Sequence, residues 1–178
     1  MGTGHVMRCI ALGQAWKRAG GEVFFVSCCA SGSITERIAE EGFFLVELGQ
    51  AYPESENDLN TTMQTARKLG ASWIITDGYH FDLGYQRTVR QSGFKLLCVD
   101  DYNHLKEYEA DILLNQNVGA EELEYQCNAE CRKLLGPRHV MLRKEFHSQE
   151  KVKRSFPETG RNLLVTLGGS DPGNVSLK

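Results

Sequence analysis

Five short apolar runs, each of strand length and largely free of polar alternation, set the terms for this chain: Glu22 to Ser27, Phe43 to Leu48, Trp73 to Thr76, Lys95 to Val99, and Asp111 to Asn115. Runs of this kind suit strands buried on both faces, the pattern of a parallel sheet. Between them the apolar spacing changes to three and four residues. Ile34, Ile38 and Ala39 lie on one such face, after a capping box of Ser33 and Glu36. Leu59, Met63, Ala66 and Leu69 lie on a second, and Tyr85 and Val89 on a third, with glycine stops at Gly42, Gly70 and Gly93. Strands alternating with helices predict an α/β fold, a Rossmann-like parallel sheet flanked by helices with right-handed crossovers. Ligands in such sheets sit off the carboxyl ends of the strands. Asp77-Gly78-Tyr79, Asp100-Asp101 and Asn115 fall at those ends.

A second feature stands at the start of the chain, in Gly2-Thr3-Gly4-His5-Val6-Met7-Arg8-Cys9. Two glycines one residue apart let a backbone turn sharply and leave room for a ligand against the main chain. Val6, Cys9, Ile10, Gly13 and Trp16 then share a helical face, which ends at Arg18-Ala19-Gly20-Gly21. A turn opening into a helix aims free N–H groups and the positive dipole end at an anion. His5 stands at that mouth, and histidine suits the work of a base near neutral pH. Arg8 is either a phosphate contact or a solvated helix residue. A tight turn with a histidine capping a helix explains the same letters. A dinucleotide fingerprint would need glycine where Met7 stands, and no G-x-x-x-x-G-K-[ST] loop occurs. Only Met1 precedes the turn, so the expectation is that the domain's first strand lies outside this chain.

Composition excludes several classes. With 178 residues, 41% hydrophobic, 24% charged and a net charge of -3, the chain reads as an ordinary globular domain and part of another. The slight acidity argues against nucleic acid as a partner, and no apolar run approaches the ~20 residues of a membrane span. No secretory leader is expected, and a cytoplasmic location follows. The six cysteines lack paired metal spacing, with Cys127 and Cys131 one helical turn apart, so reduced thiols and no metal or other cofactor are expected. Trp16 and Trp73 read as core, and His80, His104, His139 and His147 as surface or loop histidines.

Residues 1–147 are therefore expected to form an N-terminal Rossmann-like domain, and the charged stretch 148–161 a linker. Asn162 to Leu167 reads as the first strand of a second domain, followed by Gly168-Gly169-Ser170-Asp171-Pro172-Gly173-Asn174. Ser170 or Asp171 would cap a helix with Pro172 at its first position.

Two glycine turns opening helices in successive α/β domains resemble the GT-B architecture of sugar-nucleotide enzymes. The wording is more specific. GTGHVMRC, Asp77-Gly-Tyr79-His-Phe-Asp82, Val99-Asp-Asp-Tyr102, Ala110-Asp-Ile-Leu-Leu-Asn115, Leu135-Gly-Pro137, Leu142-Arg-Lys-Glu-Phe146 and Leu164 to Pro172 resemble, in order, the pseudaminic-acid pathway hydrolases and their spore-coat polysaccharide relatives. The resemblance spans essentially the whole chain, and it implies the N-terminal half of a GT-B-type fold. It further implies metal-free, inverting hydrolysis of a UDP-linked 2,4-diacetamido-2,4,6-trideoxy sugar to UDP and free sugar. His5 would be the base acting on water. Gly2, Gly4, Arg8, Asp77, Tyr79 and Asn115 would lie on the sugar side. Gly168, Gly169, Ser170, Asp171 and Asn174 would lie on the nucleotide side. A diphosphate leaves as a stabilised anion, so the reaction needs a water, a base and donors for phosphate charge more than it needs an acid. A GT-B glycosyltransferase, with His5 deprotonating an acceptor hydroxyl, and a non-catalytic fragment remain as alternatives. These 178 residues alone are expected to bind UDP weakly and not to turn over substrate.

Overall fold

A computed structural model describes residues 3–28, 32–48, 56–147, 158–161 and 163–164. The chain divides into two compact units, residues 24–141 and residues 1–23 with 142–178.

The unit of residues 24–141 holds the sheets. Strand β1 (Phe24–Ser27) pairs in parallel with β2 (Phe44–Glu47) across helix α2 (Gly32–Glu40), in register from Phe24 opposite Phe44 to Ser27 opposite Glu47. Helix α3 (Glu56–Lys68) leads to β3 (Trp73–Asp77), and α4 (Leu83–Gln91) leads to β4 (Lys95–Val99). Strands β5 (Ile112–Asn115) and β6 (Arg132–Leu135) follow, and β3-β4-β5-β6 form one parallel sheet in sequence order. The expected parallel α/β arrangement is present. Among the described residues it is built as two sheets rather than one. Strand β6 escapes a search for apolar runs because two of its four residues are Arg132 and Lys133, which sit exposed on the outermost strand.

The core explains why these elements hold. Met63 and Ala66 of α3, Tyr85 and Val89 of α4, Leu96 and Cys98 of β4, and Leu113 of β5 pack into one cluster with Tyr108, Ala110 and Tyr125. Each fully buried Leu or Val contributes about 1.5–3 kcal/mol relative to exposure. Helix α4 is delimited as its letters suggest. The Asp82 carboxylate accepts from Tyr85 N at 2.7 Å, the N-cap bond, and Gly93 closes the far end at φ +89°. Asp82, one of the motif residues, thus has a structural task. In α2 the expected cap is displaced, since Gly32 and Ser33 already lie within the helix.

Parallel strands β4 and β5 are joined without a helix. The connecting loop is organised instead by buried polar groups, Asp100 and Tyr108 among them. The Cys127–Cys131 segment is not helical: Cys127 makes a parallel bridge with Tyr108, and Cys131 N bonds to Asn128 O at 3.0 Å. Their thiols hydrogen-bond to each other, which holds Cys127 below the ordinary thiol range and pushes Cys131 up.

In the other unit, α1 (Thr3–Arg18) is tied to the segment leading into the short helix α5 (Lys144–His147), where Lys144 N donates to Gln14 Oε1 at 2.8 Å. Trp16 is 46% exposed rather than core; its indole lies over Gly21, where a Cβ would come 2.1 Å from Nε1. Of the expected strand at residues 162–167, Leu163 and Leu164 are described; neither is in a strand and both are almost fully exposed.

Candidate strand-end site

The residues picked from sequence fall into three groups. Gly2, Gly168, Gly169, Ser170, Asp171 and Asn174 lie outside the described residues. Gly4, His5 and Arg8 belong to α1, and Asp77, Tyr79 and Asn115 to the carboxyl edge of the four-stranded sheet.

Helix α1 starts earlier than the letters suggest. Thr3 is already helical, so Gly4 and His5 lie inside the first turn rather than in a glycine turn ahead of it. A Cβ at Gly4 would meet nothing within 4 Å, and Gly4 is not among the glycines with positive φ. The helix periodicity overrides the turn reading. One turn on, the Arg8 guanidinium approaches His5 Nδ1 at 3.1 Å. Arginine only donates, so Nδ1 must present its lone pair, and the neutral ring then carries its proton on Nε2.

The strand ends of the other unit are richer. Parallel register places Asp77 opposite Val99, Val99 opposite Leu114, and Asn115 opposite Leu135. The residues that follow each strand therefore meet along one edge. After β3, Gly78 lets the chain fold back on itself, since a Cβ there would come 2.6 Å from His80 Cε1. That turn presents Tyr79, 43% exposed, with its hydroxyl donating to Asp101 Oδ2 at 2.7 Å. Asn117 Nδ2 donates to the other carboxylate oxygen at 3.0 Å. Tyr102 stacks at a tilt against Tyr79 with centroids 4.9 Å apart, and it too is exposed.

Beneath this pair lies Asp100, whose side chain is completely buried. Its Oδ1 accepts from Tyr125 OH at 2.6 Å, Tyr102 N at 2.8 Å and Asn103 N at 2.6 Å. Its Oδ2 accepts from Tyr108 OH at 2.8 Å and pairs closely with His104 Nδ1. Asn103 makes the tight loop possible by adopting φ 60°, the left-handed conformation that asparagine tolerates. Burial alone would raise the Asp100 pKa. The bonds from Tyr125, His104, Asn103 N and Tyr108 outweigh it and hold the carboxyl below the usual range. The same burial, with Asp100 adjacent, pushes the Tyr108 and Tyr125 phenols up, so both remain donors. Asn115 is consumed by this network: its Nδ2 donates to Tyr125 OH at 2.9 Å and its Oδ1 accepts from Asn117 N at 3.0 Å.

Sequence reasoning passed over His104, which is not a surface residue. Its side chain is nine-tenths buried, Nδ1 faces Asp100, and Nε2 has no hydrogen-bond partner among the described residues. With Asp100 ionised, Nδ1 carries a proton, and in the neutral ring Nε2 then presents a lone pair, the arrangement by which a buried carboxylate fixes an imidazole tautomer. Asp100, His104 and Tyr108 recur every four residues, a spacing that reads as helix and conceals a loop network. The other histidines are engaged elsewhere: His80 stacks on Phe81, His139 Nε2 accepts from Arg138 Nε at 3.0 Å, and His147 Nε2 lies 3.1 Å from Leu142 O.

The chain was compared with known proteins. No family model matches it. It is 26% identical over 183 residues to an uncharacterized protein of Methanocaldococcus jannaschii, covering all of this chain and 36% of that protein. It is 24% identical over 185 residues to the UDP-2,4-diacetamido-2,4,6-trideoxy-beta-L-altropyranose hydrolase of Campylobacter jejuni, covering all of this chain and 60% of that enzyme. The chain thus spans less than two thirds of the length of either relative. No helix among the described residues is long and apolar enough to cross a membrane.

Proposed function

We propose that this chain is the sugar-side part of a GT-B-type hydrolase that releases UDP and free sugar, with inversion, from a UDP-linked diacetamido-trideoxy sugar. The observation that carries the reading is the strand-end edge, where exposed Tyr79 and Tyr102 and half-buried Asp101 lie over a buried hydrogen-bonded network at the carboxyl ends of parallel strands. Distant likeness to the Campylobacter hydrolase along the whole chain supports it. A pyranose offers hydroxyl and amide groups to a carboxylate and C–H faces to aromatic rings, and this edge supplies both.

In this reading Tyr79 and Asp101 hold the sugar, while Asn115 acts indirectly by fixing Tyr125 and Asn117. His5 is the base that takes a proton from water. Its geometry adds a condition. Accepting through Nε2 requires the opposite tautomer from the one Arg8 enforces, so Arg8 must leave Nδ1 before His5 can work. A diphosphate is a stronger partner for a guanidinium than a neutral imidazole is, so nucleotide arrival would free the ring. Gly4 keeps the start of α1 open to that anion, Asp77 ends β3 beside Tyr79, and Gly2, Gly168, Gly169, Ser170, Asp171 and Asn174 would meet the substrate. The protein is read as cytoplasmic, and the chemistry calls for no metal.

The test is full-length protein with the UDP-sugar and no acceptor. Stoichiometric release of UDP and free sugar, inverted when first formed, supports the hydrolase. UDP release that appears only on adding a hydroxyl acceptor would replace it with a glycosyltransferase.

A further inference from the structure

The strand-end edge contains one atom that the proposed chemistry does not use. His104 Nε2 is buried and unpartnered among the described residues, although the Asp100 carboxylate and the Tyr108 and Tyr125 hydroxyls beside it are all hydrogen-bonded. Buried polar atoms in native proteins nearly always have partners, so this one calls for an explanation. The surrounding groups supply it. Asp100, ionised and bonded at both oxygens, fixes Nδ1 as a protonated nitrogen, so that in the neutral ring Nε2 is the acceptor. Tyr79 meets the imidazole edge-on at 5.6 Å between centroids, Tyr102 lies at 6.0 Å, and both phenol rings are open to solvent. Tyr108 closes the other side at 5.8 Å.

We propose that His104 Nε2, walled by Tyr79 and Tyr102, is a subsite for an acetamido group of a sugar, accepting its amide N–H while the aromatic rings take its methyl. The requirement is a donor next to apolar surface. An acetamido group meets it in one unit; a plain hydroxyl supplies the donor without the methyl, and a phosphate supplies neither. The inference rests on the UDP-diacetamido-sugar reading above and assigns one of that sugar's substituents to a place. His104 acts here by binding. Asp100 is a positioning residue, because it fixes the tautomer without touching the ligand. For Nε2 to be reached, the Tyr79 and Tyr102 rings must part slightly, and their exposure leaves them room to do so.

Two variants separate binding from folding. His104→Asn keeps a donor amide for Asp100 and removes the Nε2 position, whereas His104→Gln places an amide group where Nε2 was. Methyl 2-acetamido-2-deoxy-β-D-glucopyranoside is the probe, methyl β-D-glucopyranoside the control, and both are titrated into the 178-residue chain. In wild type, the acetyl methyl should show saturation transfer from aromatic protons, and the His104 Nε2 15N resonance should move on binding. His104→Asn should weaken the probe about five- to tenfold, the loss of one hydrogen bond. His104→Gln should recover much of it, and Tyr102→Leu should weaken it without disturbing Asp100. Equal affinity of wild type and His104→Asn, an Nε2 resonance indifferent to the probe, or equal binding of probe and control would each overturn the subsite. In full-length protein, His104→Asn should raise KM for the sugar nucleotide with kcat and UDP affinity little changed. If wild type releases no UDP, the hydrolase reading fails by itself, while the titration still decides the subsite.

Discussion

Replacing Asp100 by Asn tests whether a buried carboxylate, rather than apolar packing alone, holds the β4–β5 connection. The side chain is completely buried, so no solvent is available to replace lost partners. Asn keeps one carbonyl oxygen. Placed at Oδ1, it preserves the bonds from Tyr125, Tyr102 N and Asn103 N. The new NH2 then faces Tyr108 OH and His104 Nδ1, both donors toward Oδ2. Tyr108 cannot simply turn to accept at no cost, because Leu105 N already donates to its oxygen at 3.1 Å. Two charge-assisted bonds at about 1.5–3 kcal/mol each are lost, and removing a buried charge offsets part of that. The expected destabilisation is about 2–4 kcal/mol at pH 7, read as the shift in urea midpoint at constant m. The pH dependence supplies a sign. Asp100 is depressed in the folded state below the ordinary carboxyl value of 3.8, so the unfolded chain takes up its proton first as pH falls. The stability it contributes is fully present above about pH 5 and declines below that, toward the folded pKa. The wild-type advantage over Asp100→Asn should therefore narrow between pH 5 and pH 3. A difference below about 0.5 kcal/mol at pH 7, or one that is unchanged at pH 3, would refute the reasoning.

Three further outcomes are expected. In full-length protein, His5→Asn should lower kcat by about 10²–10⁴ with nucleotide affinity little changed; near-wild-type turnover would remove His5 from the mechanism. Asp82→Ala should cost about 1 kcal/mol through the lost bond to Tyr85 N, while Asp82→Asn keeps most of it, measured by denaturant midpoint. Among the thiols, burial raises Cys98 to about 12 while Cys131 holds Cys127 low, so a disulfide reagent at pH 7 should modify Cys127 well before Cys98. Peptide mapping of the first site modified would decide it.

What could be read from the letters follows from what produced the structure. The strands Phe24–Ser27, Phe44–Glu47, Trp73–Asp77, Lys95–Val99 and Ile112–Asn115 were visible because each carries a short apolar run, although only the last two are buried along most of their length and Phe44 and Ile75 stand exposed. Helix α4 was visible down to its stop, since Tyr85, Val89 and Gly93 obey local rules. Strand β6 was not, because an edge strand needs only one apolar partner and tolerates Arg132 and Lys133. At Thr3 and Gly4 the helix replaces the expected turn, because glycine permits a turn without requiring one and the helix that follows reaches back to Thr3.

The edge shows the limit most clearly. Tyr79, Asp100, Asp101 and Asn115 could be placed at strand ends by counting, since parallel strands deliver their C-terminal neighbours to one side. Their division of labour could not. Asp100 and Asn115 turn inward and Tyr79 and Asp101 outward, and that choice is made by Tyr108 and Tyr125, which donate or relay bonds across residues far apart in sequence. A buried carboxylate is costly unless several donors converge on it, and such convergence is a property of the folded loop. Once it exists, the tautomer of His104 is decided and Nε2 must look outward for a partner. The histidine that sequence spacing gave no reason to choose is thus the one whose ring the fold orients through a buried carboxylate.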